Sequence, residues 1–284
     1  MTNAPRRRMA RSAAGAGLLA PALVIIAAAF LAPLARLFAL SLTSTAGLFG
    51  AYRELATEDV YWIVVKNTVL LAVVVTLVTL SIGFALAMTL TRLSGGWRLG
   101  LFACIILPLW ISVLVRTFSW MLLLEGNGPI NRFLVATGAT NQPVPFLFNF
   151  SGVMIGMVHV LLPYAVLPIY AALIKIDPAL LQASDGLGAS PMTTFGRIVL
   201  PLSVRGLATA ATFTFLLSLG FFITPALLGG PSNTTIPMLI DSFVNERLAW
   251  PLAAAASMVL LAMVLGLVGV VARLVPLGSL AEAK

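Results

Sequence analysis

Few side chains in this sequence are of the types that do chemistry, and their spacing closes most of the routes open to them. Nine acids, one histidine and one cysteine are spread over 284 residues. No two carboxylates are placed for acid and base work, neither G-x-S-x-G nor H-E-x-x-H occurs, and a single histidine cannot complete a metal site. The G-x-x-x-x-G-K-[ST] loop that cradles nucleotide phosphates is also missing, since GGPSNTT at 229–235 lacks its lysine. The expectation is a chain that is not an enzyme, with no catalytic residue, no metal site and no cofactor of its own. His159 has no acidic neighbour for a proton relay and is read as a hydrogen-bonded packing residue. Cys104, inside an apolar run, is likewise read as packing.

The most patterned polar stretch is LLQASDGLGASPMTTFGRIVLP, residues 180–201, set between two strongly apolar segments. Asp177 and Pro178 form a helix-start signal, with Asp at the cap and Pro in the first turn. Leu180, Leu181, Ala183 and Leu187 suggest one apolar helical side, and Gly186 with Gly188 mark its end. Ser190 and Pro191 begin a second short helix through Phe195, Ile198 and Val199, and Pro201 precedes the next apolar run. A helix, a glycine turn and a second helix make either a loop packed under its own bundle or a ridge that fits a groove on another protein.

The elements that must hold this loop are membrane helices. The chain is 60% hydrophobic and 9% charged, with mean hydropathy +1.06, more apolar surface than a soluble domain could expose. Apolar runs lie at about 15–40, 67–90, 99–124, 151–174, 204–228 and 251–274, each near the 20 residues that cross a hydrocarbon layer. The fold class is therefore an all-α polytopic bundle with six transmembrane helices. The basic start, Arg6, Arg7, Arg8 and Arg11, resembles a signal peptide, but the apolar run after it is too long for one, so the first helix is read as uncleaved. Residues 1–14 form a basic cytoplasmic segment and 15–284 the membrane domain, with a cytoplasmic loop at about 175–203.

Eleven of the 17 basic residues fall on the N-terminal side of this topology: Arg6, Arg7, Arg8, Arg11, Arg92, Arg98, Lys175, Arg197, Arg205, Arg273 and Lys284. Four, Arg53, Lys66, Arg132 and Arg247, fall on the other side, and Arg36 and Arg116 lie within or at the ends of helices. The positive-inside rule places both termini in the cytoplasm. The basic residues form no stripe with interleaved aromatics, so a nucleic-acid partner is not expected. NGPINRFLVATG in the 125–149 loop is read as a short interfacial helix ended by Pro143 and Pro145. Pro21, Pro33, Pro108, Pro163, Pro168, Pro225 and Pro251, within or at the ends of the crossings, favour a transporter, because broken helices in a membrane surround protein-lined or wet paths.

The loop residues resemble the cytoplasmic EAA loop of ABC-transporter permeases of binding-protein-dependent importers, whose pattern is E-A-A, three residues, Gly, nine residues, I-x-L-P. Ala183, Gly188, Ile198, Leu200 and Pro201 stand at the pattern's places, while Gln182 replaces its glutamate and Ser184 its second alanine. Glutamine keeps the length and hydrogen bonding but not the charge, so the steric fit carries over and the salt bridge does not. By this resemblance Gln182, Ala183, Ser184, Asp185, Gly188, Ala189, Ser190 and Pro201 belong to the loop gripped by an ATP-hydrolysing subunit. LVRTFSWMLLLEGNGPINRFL at 114–134 and PVPFLFNFSGVMIGMVHVLLPYAVLPIYAAL at 143–173 are similar to the spermidine/putrescine-type permeases. Permeases for iron(III), thiamine or opine-like compounds share parts of these segments.

The resemblance implies a bacterial inner-membrane importer with two ATP-binding cassette subunits, a second permease and a periplasmic or lipoprotein substrate-binding protein. ATP and magnesium would be held by the cassette subunits, and the cargo would be a polyamine. An ATP-independent channel and a structural assembly subunit are the alternatives. For a polyamine path the candidates are Trp120, Glu125, Tyr164 and Asp241, with Trp110 and Phe118 near them; interfacial anchoring or loop capping is the ordinary role of such residues. Arg116 is the remaining path or gate candidate. Paired with Glu125 it suits a cationic cargo, and alone in an open cavity it favours an anionic one.

Overall fold

The computed structural model describes residues 4–44 and 47–274, with side chains chiefly from residue 21 onward. The side chains of Arg6, Arg7, Arg8 and Arg11, and the C-terminal Lys284, lie outside the described residues. In chain order the helices are α1 (Ala4–Leu42), α2 (Gly50–Thr57), α3 (Asp59–Arg92), α4 (Gly95–Ile106), α5 (Val113–Leu124), α6 (Pro129–Ala136) and α7 (Phe150–Leu173). They continue as α8 (Pro178–Gly186), α9 (Pro191–Thr194), α10 (Leu200–Leu219), α11 (Ile223–Leu228), α12 (Ile236–Asn245) and α13 (Trp250–Leu274). A two-residue antiparallel ladder between Thr43–Ser44 and Gly47–Leu48 is a small departure from the all-α expectation.

Five helical segments among the described residues are long and apolar enough to cross a membrane: 21–42, 59–92, 150–173, 191–219 and 250–271. The third expected crossing, 99–124, does not form as one helix. Its two parts, Gly95–Trp110 and Val113–Ala136, meet at 109°. Pro108 begins a 3₁₀ turn over Leu107–Trp110, after which Ile111 and Ser112 are extended. The fifth expected crossing, 204–228, is also redrawn. The helix starts at Pro191 and stops at Leu219, because Pro225 has no N–H for the carbonyl of Phe221 and a continued helix would break there. Residues 223–228 turn off as α11. The 129–136 helix is present, but it ends at Gly138 (φ +71°), whose neighbour Ala139 donates to Leu134 O, well before Pro143.

Helices α3, α7 and α10 pack together as the centre, α12 and α1 pack on α13, and α11 packs on α5 and α7. Lipid tails are as apolar as leucine, so small residues that let backbones approach decide which faces meet. The buried stripe of α3 runs Thr68, Ala72, Thr76, Thr79, Gly83 and Ala87, and that of α10 runs Ser203, Gly206, Ala210, Thr214 and Ser218. Gly206 lies where a Cβ would stand 2.7 Å from Pro168 O and against the Ala172 methyl. Three apolar clusters fill the interior: one around Ile169 and Leu173 near the 175–203 loop, one around Met157 and Leu161, and one around Tyr61 and Phe243 at the far end.

Replacing Gly206 by valine is expected to destabilise the α7–α10 contact by about 1–3 kcal/mol. Gly266→Val, whose Cβ meets nothing within 4 Å, is expected to be neutral. Thermal unfolding of the two variants in detergent separates them.

Candidate functional site

The 175–203 loop is built by local rules that leave one apolar face bare. The Asp177 carboxylate accepts from Ala179 N at 2.9 Å, capping α8, and Pro178 occupies the first helical position. At the other end Gly188 adopts φ +73° and donates to Asp185 O, while Ala189 donates to Ser184 O, the paired bonds of a Schellman stop. Ser190 then caps α9, its hydroxyl accepting from Thr193 N at 3.3 Å. The sequence reading of a capped helix, a glycine turn and a new helix start is what forms.

Two parts of that reading change. The four apolar residues of α8 do not share one face: Leu181 packs toward the bundle, whereas Leu180, Ala183 and Leu187 point away from it. Leu187 is 87% exposed, and Met192 on α9 is 78% exposed. The second helix is not a separate piece before the membrane either. It runs through a wide π-turn at Phe195–Val199, where Leu200 N–H donates to Phe195 O, directly into α10. Pro201, lacking an N–H and crowding the turn before it, makes that widening necessary rather than ending a helix. Phe195 anchors the turn edge-on against Phe84 of α3, with ring centroids 5.7 Å apart.

Ser184 is buried, and its hydroxyl meets Thr194 Oγ1 at 2.7 Å across the glycine turn. Thr194 was not singled out in the sequence. The signal was there in two hydroxyls on either side of the Gly188 turn. Gln182, Ala183 and Asp185 are exposed.

The path candidates divide into separate places. Trp120 on α5 meets His159 on α7: Trp120 Nε1–H donates to His159 Nδ1 at 3.1 Å and the rings are edge-on at 5.6 Å; Arg116 stands one turn before Trp120 on α5, and Tyr164 lies further along α7. An imidazole accepting at Nδ1 is neutral, which agrees with a packing role for His159. Arg116 Nε and Nη1 are buried without a hydrogen-bond partner, so these nitrogens make no bond to Glu125, one of the alternatives open for this residue. Glu125 is exposed and contributes its backbone carbonyl to Asn131 and Gly128. Asp241 belongs to a cavity of about 420 Å³ at the far end, with Asn67, Glu246 and Arg247, and accepts from Asn245 at 2.7 Å. Trp110 is 80% exposed, and Cys104 is exposed on α4 rather than packed.

Polar residues that fasten the irregular far end were missed. Thr117 on α5 meets Thr224 on α11 at 3.1 Å, Asn67 donates to Ser232 O at 2.8 Å, and Thr68 accepts from Ile236 N at 2.9 Å. Asn131 ties the 125–144 loop by bonds to Glu125 O and to Val144. Isolated hydroxyls and amides within apolar runs were the available signal.

Spanning helices around a broken span, with a preformed capped loop at one end, define a polytopic membrane transport protein. Residues 80–275 match the family model described as the binding-protein-dependent transport system inner membrane component, and the chain belongs to that family, the inner-membrane permeases of ABC importers. It is 35% identical over 211 residues to the spermidine/putrescine transport system permease protein PotB of Escherichia coli (strain K12), covering 74% of this chain and 76% of that one. It is 26% identical over 252 residues to the putative 2-aminoethylphosphonate transport system permease protein PhnU of Salmonella choleraesuis (strain SC-B67), covering 86% and 87%. The fold matches a chain of a bacterial alginate ABC transporter, solved in complex with an alginate pentasaccharide-bound periplasmic protein. The TM-score is 0.80 at 20% identity, covering 94% of this chain and 95% of that one.

Ser184→Ala and Thr194→Val are each expected to destabilise the loop by about 1 kcal/mol, and the double variant by less than their sum, because both remove one bond. Hydrogen exchange across residues 178–194 reads the loss; additive effects would place the two hydroxyls apart.

Proposed function

We propose that the 175–203 loop is a docking ridge for an ATP-hydrolysing subunit, and that the chain imports a polyamine delivered by a substrate-binding protein. The observation that carries the first part is the bare face made by Leu180, Ala183, Leu187 and Met192 on a loop whose own caps already fix its shape. Apolar side chains held rigidly out of the bundle need a partner's groove, and ordering costs little when the ridge is preformed. In this reading the loop and both termini face the cytoplasm, in keeping with the distribution of lysine and arginine. ATP and magnesium are held by two cassette subunits.

A second permease fits the state of α1. No residue of its most apolar membrane-spanning window is buried, although a helix in a bundle ordinarily covers one face. The polyamine assignment rests on the relative at 35% identity, and a binding protein on the family description. A second reading of the cargo turns on Arg116: its Nε and Nη1 are buried without a partner, and an uncompensated positive charge repels a polyamine and suits a carboxylate or phosphonate, the latter being the chemistry named for the relative at 26% identity.

Gly188→Arg places a Cβ at φ +73°, costing about 1–2 kcal/mol in backbone strain, and puts a bulky charge in the docking turn. The expected outcome is loss of labelled spermidine and putrescine uptake in a complemented deletion strain, with loss of co-purifying ATPase subunit; unchanged co-purification would remove the docking assignment. Gln182→Glu is expected to leave uptake within about twofold, because exposed ion pairs contribute little.

The cargo readings separate at Arg116. Arg116→Gln is expected to leave spermidine uptake unchanged or raised. A loss of about tenfold or more in aminoethylphosphonate uptake, with spermidine not transported by the parent chain, would establish the second reading.

A further inference from the structure

A second recess lies behind the proposed docking ridge. It is a cavity of about 530 Å³ enclosed by the ends of α3 and α7, the start of α4 and the inward side of the α8–α9 loop. Its walls include Met88, Leu173 and Phe195, and its charged residues are Arg92, Arg98 and Asp185. Arg92 stands in the last turn of α3. Arg98 Nε donates to Leu93 O at 2.6 Å, which fastens the guanidinium over the short α3–α4 link. Next to it Trp97 and Leu99 are 82% and 71% exposed, the arrangement of a helix end seated at a membrane surface.

We propose that this recess binds an anionic phospholipid of the cytoplasmic leaflet, its phosphate between Arg92 and Arg98 and its acyl chain against the apolar wall. Two guanidinium groups against one carboxylate leave the recess positive, and basic pockets between helices on this side of a membrane suit anionic headgroups. A free anion would make no use of Met88, Leu173 and Phe195. An ATPase subunit is the other candidate occupant, but α8 presents opposite sides to the two sites: Leu181 and Asp185 line the recess, whereas Leu180, Ala183 and Leu187 form the ridge. A bound lipid therefore props α8 from behind, so that lipid charge sets how firmly the ridge is held. The assignment rests on the cytoplasmic placement of the loop proposed above.

The test uses the assembled transporter, permeases with their ATPase subunits, in nanodiscs of equimolar phosphatidylglycerol and phosphatidylethanolamine. Lipid retained after detergent extraction is quantified by mass spectrometry. Wild type is expected to enrich phosphatidylglycerol, and R92Q/R98Q to lower that enrichment by about thirtyfold, the effect of two interfacial arginines at about 1 kcal/mol each. R92K/R98K should stay within about threefold of wild type, and R53Q on α2 should match it. Equal retention of the two lipids by wild type, or wild-type enrichment by R92Q/R98Q, overturns the site. Displacement of phosphatidylglycerol by inorganic phosphate alone overturns the lipid in favour of a free anion. Loss of ATPase subunits from R92Q/R98Q with lipid enrichment intact assigns the arginines to the motor instead. If the double variant fails to assemble, R92Q and R98Q are read singly in the same way. Because the readout is lipid and not transport, an enrichment that fails while Gly188→Arg still uncouples uptake overturns this site and leaves the docking ridge standing.

Discussion

In hydrocarbon every backbone N–H and C=O that leaves a helix must find a partner within the protein, and this requirement shapes the two places where the chain stops being helical inside its apolar runs. The helix that follows the turn after Trp110, α5, and the 220–235 region lie beside each other. Thr117 reaches Thr224, α11 packs on α5 and α7, and Asn67 and Thr68 on α3 hold the backbone at Ser232 and Ile236. Those two residues lie about 12 Å along α3 from its start, so the bonds reach below the end of the helix. Close approach is secured by glycine at two contacts, Gly152 against Phe146 O and Gly230 against Phe148 O, where a Cβ would collide. The 220–235 segment is thus covered by α3, α5 and α7.

The opposite end obeys a different economy. At a surface reached by water, carbonyls and amides need no burial, and the loop can be shaped by caps alone: Asp177 and Ser190 start helices, and Gly188 stops one. The Ser184–Thr194 bond closes the loop on itself, and contact with the bundle enters at few points, chiefly Leu181 and Phe195 against Phe84. The loop's shape is therefore largely independent of the bundle, while its position is set by a small number of side chains. Such a division lets one element keep its form while its attachment shifts.

That difference explains what was legible in the residues. Caps are local, so α8, its stop and the start of α9 were readable from Asp177, Gly188 and Ser190. Long apolar runs are local too, and hydropathy located the first, second, fourth and sixth expected crossings, while the third and fifth were redrawn. The break at Ile111–Ser112 was not readable, because Pro108 is equally compatible with a kinked helix and a sharp turn, and only packing against α7 and α11 selects the latter. The end of the helix at Leu219 was hidden for the same reason. Small residues at the α3 and α10 contacts were visible as a pattern of Thr, Ala, Gly and Ser at three- and four-residue spacing, but hydropathy averages them away. For the path candidates, residue type indicated polar or aromatic character, but only the helix pairing could put Trp120 on His159 and leave Glu125 and Asp241 elsewhere.

The uninterrupted run from Pro191 to Leu219 carries a mechanical consequence. At 1.5 Å per residue it is a rod of about 43 Å, joining the loop to the segment that leads into α11. A tilt of about 5° about its lower end moves its tip by nearly 4 Å, about the thickness of a methylene chain. The π-turn at Phe195–Val199 is the one joint in that rod at which hydrogen bonding is already loosened, and it sits close to the lower end. A small change of angle at this joint is in this way magnified along the rod, with the leverage set by where Pro201 places the pivot.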